Sequence, residues 1–177
     1  MHESSSRMPE TVADTVVAQF ADAVSHGWWG AWVACHALVR NGRGEVLLLQ
    51  RSGTGYRDGW WHPPAGKLSP GEDVTSCVVR ELAEETGLHA DPETVAPAHV
   101  MHRRNDSPPG PFGTLLDFYF WCDAVSGEPK VMEPDRCSGL MWASPSRLPA
   151  QTIPHIVQVF EELQDGALLS RRGWDNT

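Results

Sequence analysis

The stretch RELAEETGL, residues 80–88, carries glutamates at 81, 84 and 85. On a helix, at about 100° per residue, these carboxylates share an arc of roughly 100°. Val78, Val79, Leu82 and Ala83 fill a neighbouring arc of roughly 140°, which can bury against a sheet. Like charges at helical spacing cost roughly 0.2–0.5 kcal/mol per pair, and acids toward a helix C-terminus oppose its dipole. A positive partner would reverse both penalties. Hard divalent cations take oxygen ligands and are shared between carboxylates and substrate phosphates. The chemistry suggested is metal-assisted reaction of a polyphosphate. A merely solvated acidic face is the alternative.

The elements that must position these residues are legible in outline. A helix is expected to end near Gly87, where glycine suits a left-handed cap. A Gly- and Pro-rich connector, 52–72, leads into it. Upstream, β-rich runs at 32–39 and 45–50 flank the turn residues NGRG and predict a β-hairpin. Downstream, 96–104 and 114–124 read as strands separated by a Pro-rich loop, and 139–144 as a shorter strand. A last helix is expected over 153–163, with Ile156, Val159, Phe160 and Leu163 inward. Val12, Val16, Phe20 and Val24 make a helical stripe over 11–25. The order predicts an α/β sandwich, a mixed sheet with helices on both sides.

Residues 66–88, GKLSPGEDVTSCVVRELAEETGL, resemble the signature of the Nudix hydrolases, of MutT-like type. Gly66, Glu72, Arg80, Glu81, Leu82, Glu84, Glu85, Gly87 and Leu88 match its fixed positions. The resemblance implies the Nudix α/β/α sandwich over 31–166, with a tail and an extra N-terminal helix at 1–30 and a C-terminal tail at 167–177. It implies hydrolysis of a diphosphate linkage, typically in a nucleoside diphosphate joined to a group X, with Mg2+ or Mn2+. By position, Glu81, Glu84 and Glu85 would ligate metal, joined by the main-chain carbonyl of Ala65. Glu72 would pair with Arg80, and Gly66 and Gly87 would shape the loop and helix end. The general base would be a box glutamate or an acid of the loop KVMEPDRCSG, with Glu133 ahead of Asp135. Arg51 is expected to contact phosphate or sugar. Trp60 and Trp61 offer a stacking surface, with ordinary packing as the alternative. His62 reads as a loop histidine, and His102, Arg103 and Arg104 as a solvated basic run.

Composition narrows the partners. A formal net charge of −9 over 177 residues argues against long nucleic acid and anionic membrane surfaces. No apolar run approaches the roughly 20 residues that span a bilayer. The polar beginning MHESSSRMPE lacks the apolar core of a secretory signal. The four cysteines are widely spaced with no CxxC, so reduced thiols and a cytoplasmic setting are expected. The expected partner is a small-molecule diphosphate, and the resemblance admits a homodimer. A generic nucleoside di- or triphosphate is the leading substrate class. A sugar or prenyl diphosphate, or a Nudix-fold module that binds without turnover, are the other readings.

Overall fold

The computed structural model describes residues 25–26, 30–104 and 113–174. The expected helix at 11–25, apart from its last residue, lies outside them, as does most of the Pro-rich loop. The elements run β1 (Trp32–Leu38), β2 (Val46–Arg51), β3 (Trp61–His62), β4 (Ala65–Lys67), α1 (Val74–Thr86), β5 (His89–Ala90) and β6 (Ala96–Arg104). β7 (Thr114–Trp121), β8 (Val125–Ser126), β9 (Cys137–Ala143), α2 (Pro154–Gln164) and β10 (Leu169–Arg172) follow.

A five-stranded sheet has the order β10-β6-β7-β1-β4, with a three-stranded sheet β3-β2-β9 and a ribbon β5-β8 beside it. The large sheet is mixed: β1 runs parallel to β7 and β10 to β6, whereas β6–β7 and β1–β4 are antiparallel. Alternating residues feed two apolar clusters. Cys35, Ala37 and Phe120 pack with Val78, Leu82 and Leu88 on the α1 side. Leu38, Met101 and Tyr119 pack with Ile156, Val159 and Phe160 on the α2 side. β2 serves both, sending Leu47 into the first cluster and Val46 and Leu48 into the second. The expected sandwich with helices on both sides is therefore present.

Two expectations need correction. The turn at 41–44 forms, with Gly44 at φ 75° and a Gly44 N–H to Asn41 carbonyl bond of 2.9 Å. Beyond the Arg40–Val46 bridge, however, β1 and β2 part into different sheets. A strand has two edges, and β1 gives both to β7 and β4, so β2 takes β3 and β9 instead. The segment expected as a C-terminal tail contains β10, which adds in parallel to β6 with Leu169 beside Val100. Its backbone hydrogen bonds carry that pairing, and the sequence LSRR shows no alternation that would announce it.

Both ends of α1 are closed. Asp73 caps the N-terminus, accepting from the N–H groups of Thr75 and Ser76. Gly87 takes the left-handed conformation at φ 70° and bonds back to the Ala83 carbonyl at 2.9 Å. The N–H groups of Lys130 and Met132 donate to the carbonyls of Thr86 and Glu85 at 3.0 and 3.1 Å. These are carbonyls that the end of a helix leaves without an internal partner. No helix among the described residues is long and apolar enough to cross a membrane.

Candidate active site

The site is built where β4 meets α1. Cys35 and Gly66 are cross-strand partners, so Gly66 faces α1. A methyl group on Gly66 would lie 1.9 Å from Cδ of Glu81 and 2.0–2.2 Å from its oxygens. The glycine is thus required by the close approach of a carboxylate to the backbone. One residue earlier, the Ala65 N–H donates to Oε2 of Glu85 at 2.9 Å. Two successive residues of β4 therefore seat two glutamates from adjacent turns of the helix. Burial, with the nearby Glu81 and Glu133, pushes the Glu85 carboxyl up to about 8. Burial likewise raises Glu81, where Arg80 opposes the shift.

Arg80 gathers the remaining acids. Its Nε and Nη2 form a bidentate pair with Glu72 at 2.8 and 2.9 Å, and Nη2 also reaches the Lys67 carbonyl at 3.2 Å. Its Nη1 donates to Glu81 at 2.7 Å and to Glu84 at 2.9 Å. Hydrogen bonds from Arg80 and the Ser69 N–H lower the Glu72 carboxyl to about 2. The expected Glu72–Arg80 pair is present, and the same guanidinium also holds two further box carboxylates.

Glu133 lies close enough to Glu81 and Glu85 to raise both carboxyls. Its loop is fixed by the Lys130 and Met132 bonds to α1 and by Arg136 and Cys137 N–H bonds to its own carbonyl at 3.0 and 2.9 Å. Arg51 approaches from the end of β2 and favours the charged form of Glu85. Its Nε donates to the Tyr56 carbonyl and its Nη2 to Thr54 Oγ1, at 2.8 and 2.9 Å, so it also shapes the 52–59 loop. Trp60 and Trp61 pack against the α2-side apolar cluster. Trp61 further joins the chain before α2, through main-chain bonds with Gln151 and Ile153. Both remain only partly buried, so packing accounts for part of each ring.

The donor set is all oxygen and carries uncompensated negative charge, which fits a hard divalent cation in chemical type. Among the described residues no group of three His, Cys, Asp or Glu side chains yet converges on one point. The hydrogen bonds say why. Glu81 and Glu84 turn to Arg80, while Glu85 turns to the Ala65 N–H.

One constellation escaped the sequence reading. Arg103, expected in a solvated run, is buried and ion-pairs with the fully buried Asp117. Burial alone would raise Asp117, yet His36 and Arg103 together hold it down at about 2. His62 is buried as well, and desolvation lowers its ring to about 3. The available signal was Asp117 itself, a charge inside the apolar strand TLLDFYFW.

Comparison with known proteins agrees with this geometry. The NUDIX domain model matches residues 31–163. The CTP pyrophosphohydrolase of Escherichia coli is 30% identical over 102 residues, 58% of this chain and 68% of that protein. The human 8-oxo-dGDP phosphatase is 42% identical over 59 residues, 33% of this chain but 18% of its own length. The crystal structure of a MutT Nudix hydrolase from Burkholderia pseudomallei superposes with a TM-score of 0.66 at 29% identity, covering 75% of this chain and 97% of that one. With the box residues gathered at the β4–α1 junction, and a family match running from β1 through nearly all of α2, this chain belongs to the Nudix hydrolase family.

Proposed function

We propose that this enzyme hydrolyses the diphosphate linkage of a small nucleotide, a nucleoside di- or triphosphate or a nucleoside diphosphate joined to X, with Mg2+ or Mn2+. The observation that carries the reading is the placement of Glu81 and Glu85 on successive β4 residues, with Glu133 beside them. The relatives named for CTP and 8-oxo-dGDP point to the same substrate class.

Glu81, Glu84, Glu85 and the Ala65 carbonyl would hold the cation. When bound, such a cation neutralises diphosphate oxygens and acidifies a coordinated water. The chain's own residues supply the rest. The Ala65 N–H fixes one Glu85 oxygen and so orients the carboxylate. Arg80, anchored on Glu72, limits where Glu81 and Glu84 can move. Glu133, on a loop tied to the helix end, would take a proton from the attacking water. Arg51 brings positive charge to the same side, suited to a phosphate oxygen.

The test is a substrate panel of nucleoside triphosphates, nucleotide sugars, dinucleotides and prenyl diphosphates with Mg2+, scored by released phosphate or pyrophosphate. Turnover should concentrate on nucleotides, and Glu85→Gln should lose about 10²–10³-fold in kcat/KM while remaining folded. Absence of turnover across the panel, or a Glu85→Gln variant as active as the parent, overturns the assignment.

A further inference from the structure

The loop after β2, residues 52–59, holds Arg51 through a hydrogen-bond chain that ends on one exposed carboxylate, Asp58. Arg51 closes β2 opposite Cys137 of β9. The Ser52 N–H donates to the Arg136 carbonyl at 2.8 Å, and a methyl group on Gly53 would lie 2.5 Å from the Asp135 carbonyl oxygen. The base of this loop is therefore fixed against the loop that carries Glu133. Arg51 closes the other side. Its carbonyl accepts from the Gly59 N–H at 2.7 Å, and its own N–H donates to the Trp60 carbonyl at 3.0 Å.

Within the loop the backbone reverses through Gly53, Gly55, Arg57 and Gly59, all at positive φ. Arg57, at φ 47°, lacks the freedom of glycine, and such a residue persists only where its neighbours over-determine it. Its guanidinium lies over the Trp60 ring, 5.0 Å from the centroid. Asp58, the next residue, accepts from the Thr54 hydroxyl at 2.7 Å and from the N–H groups of Thr54 and Gly55 at 3.1 and 3.2 Å. A threonine hydroxyl has one proton to give. Asp58 takes it at the shorter distance, against 3.0 Å to the Tyr56 carbonyl. The hydroxyl oxygen is thereby left as an acceptor, and Arg51 Nη2 donates to it while Nε donates to the Tyr56 carbonyl. One edge of the guanidinium is thus tied to the loop. Nη1, which the loop does not use, is left to face a ligand.

We propose that Asp58 is a positioning residue for the reaction: through Thr54 it fixes the angle at which Arg51 presents Nη1 to the diphosphate. This rests on the reading of Arg51 as a phosphate contact in a diphosphate hydrolase. A pure charge effect of Asp58 has the opposite sign. A carboxylate near the site repels an anionic substrate, so removing it would tighten binding if Asp58 acted only through its field. Fixing the guanidinium favours binding, because an arginine already held in one geometry loses less freedom on meeting a phosphate. The direction of the change therefore separates the two roles.

Isothermal titration with inorganic pyrophosphate and Mg2+ reads binding without turnover, and kcat and KM on the best nucleotide of the panel read the reaction. Asp58→Ala should weaken pyrophosphate binding about tenfold and raise KM by a similar factor, with kcat lowered less than about threefold. Thr54→Val removes the hydroxyl without touching charge and should lose about fivefold, and Thr54→Ser should recover most of that. In an Arg51→Ala background, Asp58→Ala should change pyrophosphate affinity by less than about twofold, because the group it acts through is gone. Circular dichroism establishes that each variant is folded. If Asp58→Ala does not fold, Asp58→Asn replaces it; it keeps an acceptor for Thr54 but not for Gly55, and should lose about threefold in the same cycle. Tighter or unchanged pyrophosphate binding in the folded variant, an equal loss in both backgrounds, or a parent that does not bind pyrophosphate overturns the inference. A non-additive loss in a protein that hydrolyses no member of the panel upholds it and removes the proposed activity instead.

Discussion

Replacing Glu85 by glutamine should make the cation-free protein more stable above neutral pH. The Glu85 carboxyl is raised from 4.5 to about 8 in the folded chain, chiefly by burial. A group raised in this way contributes its full stability below the unfolded value of about 4.5 and loses it as pH climbs through about 8. At about 1.36 kcal/mol per pH unit, that interval corresponds to about 5 kcal/mol of lost stability once Glu85 is ionised. Glutamine keeps an acceptor for the Ala65 N–H but has its own burial cost, about 1–2 kcal/mol. The net gain at pH 8.5 is then on the order of 3 kcal/mol, or about 6–12 °C in Tm for a domain of this size. The assay is thermal unfolding in a chelating buffer from pH 5 to pH 9. The wild-type Tm should fall across that range, the variant should stay nearly level, and the two curves should cross near about pH 6. Mn2+ should then raise the wild-type Tm far more than that of the variant. Parallel curves, or a wild type indifferent to pH, would refute the burial argument and with it the picture of Glu85 as a charge awaiting a counterion.

Gly66→Ala places a methyl group on the Glu81 carboxyl carbon. It should cost about 1–3 kcal/mol and weaken Mn2+ binding measured by electron paramagnetic resonance; unaltered Mn2+ affinity would contradict the close approach. Arg103→Met strands the buried Asp117 charge and should cost about 3–5 kcal/mol in urea unfolding at pH 7. Adding Asp117→Asn should recover much of that loss, and strict additivity of the two changes would count against the pair.

α1 was readable because its information is local. Glutamates at i, i+3 and i+4 and a terminal glycine all act within one or two turns. The box pattern marked Gly66 and Glu81 separately; the contact between them is steric and visible only once β4 lies against the helix. The divergence of β1 and β2 was not readable. Both strands are apolar on successive positions, so neither shows which neighbour it prefers. The Arg103–Asp117 pair joins residues 14 apart on adjacent strands, and their register depends on the β6–β7 ladder rather than on local pattern. Trp60 and Trp61 illustrate the same limit. Their types permit stacking or packing, and their contact with the α2-side cluster depends on the second sheet and α2 rather than on local pattern.

The loop that carries Glu133 is hydrogen-bonded to α1 through main-chain atoms at Lys130 and Met132, whose side chains also lie over Gly87 at the helix end. A tie made of peptide groups is indifferent to which side chains stand there. Substitutions at 130–132 that still clear Gly87 can therefore leave the hydrogen-bonded spacing between helix and acid in place. A relative could change the rim of its pocket on this loop without loosening the chemistry beneath it. Inserting or deleting one residue between 130 and 133 would be another matter, since it changes the length of a ruler rather than its markings.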